Sequence, residues 1–193
     1  MSGSAQQTPL LRQGPCRLVP GHVRGRRQPC MLANVLADAD ALMALETTHP
    51  GCVGQVVGEA WSQALGEPIP SGTMAPHPAG VRAWMEWLGA CVVVLLQRAG
   101  IAVFETAEVL HLSRCEKGQP VRITLLLPVM PGREDATARA WSLVLELFGG
   151  AFQGAAATRL HECLHTGLES LRRLAPRGGN TPRFLRAAHE LGI

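Results

Sequence analysis

The stretch His161-Glu162-Cys163-Leu164-His165 places two imidazoles one helical turn apart with a carboxylate beside the first. That is the H-E-x-x-H spacing by which a helix offers two zinc ligands and a general base for metal-bound water. A plainer arrangement uses the same residues. Leu160, Leu164, Leu168 and Leu171 recur at helical spacing and face a core, which leaves His161, Glu162 and His165 on the flank. Arg159 sets a cation two residues before the first histidine, and Gly167 weakens the helix just after the second. The acids downstream are Glu169 and Glu190, and neither stands at a telling distance for a third ligand. A zinc-dependent hydrolase using His161, His165 and Glu162 is therefore the lesser expectation, and an amphipathic helix the greater.

A second group is cationic: Arg172, Arg173, Arg177, Arg183 and Arg186. Guanidinium groups grip carboxylates and phosphates through two parallel hydrogen bonds, so such a track suits an acidic or mixed-charge polymer. Its plainer reading is solvated helix faces, with Arg172 and Arg173 complementing a helix C-terminus. "RGRR" at 24–27 reads as an exposed turn or a ligand contact. Trp84 and Trp87 on an apolar helix read as core or as subunit interface. His22, His77 and His111 have no acidic or nucleophilic neighbour at a telling distance, and no Ser-His-Asp or Cys-His set stands out.

Around these groups the chain has 193 residues, 47% of them hydrophobic, enough for one well-buried domain. The net charge of +3 rests almost entirely on arginine, Lys117 being the sole lysine, and forms no basic stripe of the kind that follows nucleic acid. Six cysteines without a C-x-x-C pair read as reduced thiols in a cytoplasmic protein. "MSGSAQQTPLLRQG" has no signal-peptide pattern. "WLGACVVVLL" is about half the roughly 20 residues a membrane helix needs, so it is a core helix and no membrane partner is expected.

The elements that must carry these groups follow from periodicity and punctuation. Residues 1–14 are expected to fray. "CRLVPGHVRGRRQPCMLANVLAD" reads as a strand pair about a Gly/Arg turn, "DALMALETT" as a short helix capped by Asp38 or Asp40, and "CVGQVVGEAWSQALG" as a helix stopped at Gly66. "EPIPSGTMAPHPAG" is a loop, and Val81 to Arg98 a buried helix closed by Ala99-Gly100. "IAVFETAEVLHLSR" and "PVRITLLLPV" alternate and form a hairpin across "CEKGQ". "GREDATARAWSLVLELFGG" is a helix ending at Gly-Gly, and "ATRLHECLHTGLESLRRL" another. Pro176 to Gly179 is a linker before a last helix, with Thr181 as N-cap and Pro182 at its first position. The sum is an α+β domain over 15–175, an antiparallel or mixed sheet with helices packed on one face, followed by a junction over 176–193.

That closing junction, "RLAPRGGNTPRFLRAAHELGI", resembles the segment by which the N-terminal domain of cyanophycin synthetase and related ligases leads into an ATP-grasp domain. "GPCRLVPGHVRG", "LLQRAGIAV" and "VRITLLLPVMPGREDATARAWSLVLELF" are similar, in the same order, to that domain's early strand, helix-to-strand passage and strand-helix unit. The resemblance implies an accessory role: holding an Asp/Arg-type peptide polymer and supporting homo-oligomer contacts. Its partner would be its own C-terminal ATP-grasp domain, where ATP and magnesium belong. No G-x-x-x-x-G-K-[ST] or G-x-G-x-x-G occurs here, so neither cofactor nor ligase activity is expected of this chain by itself. Some relatives carry H-x-x-E-H on the helix before the hairpin. The corresponding Glu86 to Ala90 has neither histidines nor base.

Overall fold

The computed structural model describes residues 11–19, 25–38, 40, 52–70, 81–113, 120–176 and 180–192. Period-two alternation builds its sheet. In β2 (Cys30–Ala37) the side chains of Met31, Ala33, Val35 and Ala37 are buried, while Leu32, Asn34 and Leu36 between them are half-exposed. Val121, Ile123, Leu125 and Leu127 of β4 (Val121–Pro128) are buried on the same side. Together with β1 (Leu11–Val19) and β3 (Glu108–Leu112), the described residues form one four-stranded sheet in the order β1-β2-β4-β3. Every pairing is antiparallel, so the mixed alternative is not realised.

The helices bounded among the described residues are α1 (Cys52–Leu65), α2 (Val81–Arg98), α3 (Glu134–Phe152), α4 (Ala157–Arg172) and α5 (Thr181–Leu191). α2 and α3 lie against the sheet, α4 packs on α3, and α1 packs on α4 and α3. The opposite sheet face exposes Arg12, Arg17 and Arg122. The domain is α+β with its helices on one face, as the sequence leads one to expect. Trp84 is 5.4 Å from Trp87, 6.2 Å from Phe148 and 5.5 Å from Phe152, and Trp87 donates to the Pro70 carbonyl at 2.8 Å. Trp84 belongs to the core, and the half-buried Trp87 packs against it. α2 also comes very close to the segment entering β3. A Cβ on Gly89 would sit 2.6 Å from that of Ala107.

Several boundaries differ from the sequence reading. β1 begins at Leu11, inside the stretch expected to fray, because Leu11 pairs with Ala37 and is buried. The strand expected from Ile101 is regular only from Glu108. Before that, Gln28 donates to the Ala102 carbonyl at 3.0 Å and accepts from the Phe104 amide at 2.7 Å, so a side chain replaces a strand partner. α3 does not stop at Gly149-Gly150. It continues to Phe152, whose ring joins the tryptophan cluster, and the chain turns at Gly154 with φ +79°. α4 ends at Arg172, and Asn180 rather than Thr181 precedes α5. The helix expected over "DALMALETT", the turn "CEKGQ" and most of the proline-rich loop lie outside the described residues.

Candidate binding site

Two of the arginines named from sequence, Arg183 and Arg186, come together at one cleft beside α5. α5 docks there through Leu185 and His189: the His189 ring lies 5.2 Å from that of Phe104, and Arg186 stacks over Phe104 at 5.6 Å. Arg183 and Arg186 line a cleft of about 230 Å³ with Gln97 and the Gly100–Phe104 turn. Past the end of α4, Ala175 lies against the same turn, since a Cβ on Gly100 would stand 3.6 Å from its methyl. Arg172 pairs with Glu169 at 2.6 Å, and Arg173 is exposed. Arg177 falls outside the described residues.

The described arginines of the "RGRR" turn, Arg26 and Arg27, make contacts within the chain. Arg26 bridges Glu105 at 3.4 Å and Glu108 at 3.1 Å, and donates to the Thr106 carbonyl at 2.5 Å. The Arg27 amide donates to Glu105 at 2.5 Å, and its guanidinium reaches the end of α5. Arg24, His22 and His77 lie outside the described residues, and His111 is exposed on the open sheet face.

On α4, Leu160, Leu164, Leu168 and Leu171 are buried, as the plainer reading requires. The rings of His161 and His165 are 6.2 Å apart, but among the described residues no third histidine, cysteine or acid joins them. Among the described residues no group of three or more His, Cys, Asp or Glu is placed to hold a metal ion. The described free thiols are Cys16, Cys30, Cys91 and Cys163. Burial raises the Cys30 and Cys91 thiols above their ordinary pKa. Cys163 is pushed up to about 11, first by burial and then by the carboxylate of Glu146 beside it.

Sequence reasoning missed a cavity of about 620 Å³ between the end of α3, the start of α4 and β1. Glu146, Arg159 and Cys163 line it, over a floor of Gly149, Gly150 and Gly154. Its one sequence signal is glycine density after an apolar helix, which reads first as a stop.

Comparison with protein-family models, curated proteins and solved structures finds no match for this chain. Among the described residues no helix is long and apolar enough to cross a membrane.

Proposed function

We propose that the chain is a holding and assembly domain of a cyanophycin-synthetase-like, ATP-dependent amide-forming ligase, acting in the cytoplasm and without ligase activity by itself. The observation that supports it is the convergence of Arg183 and Arg186 with the end of α4 on the Gly100–Phe104 turn. This puts the guanidinium groups of Arg183 and Arg186 beside the turn that Ala175, just past α4, also touches, with Glu169 and Glu190 nearby in sequence. A polymer bearing carboxylates and guanidinium groups meets complementary charges there. Each exposed pair contributes only about 0.2–1 kcal/mol, so affinity accumulates over several contacts.

Titration of the chain with Asp/Arg polymer of increasing length, at low and high salt, tests this reading. Affinity is expected to rise with length, to fall with salt, and to weaken when Arg172, Arg173, Arg183 and Arg186 become alanine. Length-independent binding that is indifferent to those substitutions would leave a structural or oligomerisation module.

A further inference from the structure

The cavity between α3 and α4 brings opposite charges together from elements far apart in sequence. Glu146 comes from α3 and Arg159 from the first turns of α4, while Gln13 of β1 and Gln153 add amides at the rim. Both charged side chains are exposed, and among the described residues neither forms an ion pair with the other or with a third group. The Cys163 thiol lies beside the Glu146 carboxylate, whose two oxygens keep acceptor capacity.

The cationic side has a second component. α4 begins after Ala156 with no side chain capping its first turn, so the positive end of the helix borders the same space as Arg159. Leu11, Leu145 and Leu160 supply apolar wall, and a Cβ on Gly149 would meet nothing within 4 Å. The volume lies within the roughly 300–1,000 Å³ of small-ligand sites.

We propose that this cavity binds a small zwitterion of dipeptide size, its carboxylate against Arg159 and the start of α4, its ammonium against Glu146. A ligand with a single charge would leave the other protein charge unanswered. One carrying both satisfies the two at once, and the bare glycine backbone lets its own backbone lie close. The site shares no residue with the α5 cleft, so it stands or falls independently of polymer holding.

Calorimetric titration of the whole chain with alanyl-alanine, its N-acetyl form and its C-terminal amide provides the test. Alanyl-alanine should bind saturably in the millimolar range or tighter. Each blocked form should bind about tenfold more weakly, since each loses one charge-assisted hydrogen bond. Glu146→Gln should erase the preference for a free amine while keeping that for a free carboxylate, and Arg159→Gln should do the reverse. Gly149→Trp should abolish binding, with thermal unfolding confirming that each variant folds. Arg183→Ala should change nothing. The proposal is overturned if alanyl-alanine does not saturate, if both blocked forms bind as tightly as the free dipeptide, or if the folded Gly149→Trp variant binds normally.

Discussion

Arg27 donates through Nη1 to the backbone carbonyl of His189 across 2.8 Å, so a turn just before β2 closes the carboxyl end of α5. The Glu190 carbonyl lies within 3.4 Å of the same nitrogen, and the guanidinium rests against Gly192, which is left-handed at φ +75°. A cation among the last carbonyls of a helix answers acceptors that have no partner within it. Arg27→Ala should lower hydrogen-exchange protection of α5 amides by about 0.5–2 kcal/mol while leaving β2 and β4 amides unchanged. Unaltered α5 protection would show that the aromatic contacts at Phe104 hold the helix alone.

Gln28 is buried and engaged at both ends of its amide. Gln28→Ala strands the Ala102 carbonyl and the Phe104 amide, and should cost about 1–3 kcal/mol in denaturant unfolding. A cost near zero would mean that water takes over both groups.

Leu125 sits in the middle of β4, opposite Ala33 on one side and Val109 on the other, fully buried. Leu125→Ala should lose about 2–5 kcal/mol, whereas Arg122→Ala on the open face should stay within about 0.5 kcal/mol. Equal losses at the two positions would invert the assignment of faces.

Gly89→Ala introduces a methyl 2.6 Å from Ala107, in a helix where alanine is otherwise the better residue. Overpacking should win, with destabilisation of about 1–3 kcal/mol measured by thermal or denaturant unfolding. A more stable variant would show that the segment before β3 yields easily.

Cys163 has its thiol raised to about 11, so near neutral pH it is almost wholly protonated. Its alkylation should accelerate as pH climbs toward 11, and Glu146→Gln should quicken it at a given pH by removing the anion that opposes the thiolate. Because folding favours the protonated thiol, this group's contribution to stability is complete below the ordinary thiol pKa and is lost as pH rises through about 9 to 11. Thiol trapping against pH in the two proteins checks the sign. A slower Glu146→Gln variant would refute it.

Elements with a repeating pattern were legible: the heptad-like leucines of α4, the alternation in β2 and β4, and the glycine stops at Gly66 and Gly100 all lead to what is observed. Where side chains stand in for backbone partners, periodicity misleads. Val103 and Phe104 look like strand, yet Gln28 and Glu105 do the tying. Gly149-Gly150 looks like an end, yet Phe152 has rings to reach. Of the arginine track, Arg183 and Arg186 do share one cleft, and they are close in sequence. The juxtaposition of Glu146 and Arg159 was not legible, because exposed charges on separate helices follow no spacing rule and only the α3–α4 turn brings them to one cavity.

The strand order carries a kinetic consequence. β1–β2 and β3–β4 are each neighbours along the chain, but the ladder joining them runs from Cys30 opposite Pro128 to Ala37 opposite Val121, with α1 and α2 in the interval. Closing so long a loop costs entropy before any contact rewards it, which slows chains dominated by such pairings. Folding should therefore be governed by the moment at which the two hairpins meet. Until they do, β2 and β4 each present an open edge, the state in which a hairpin from another molecule could be accepted in place of the chain's own.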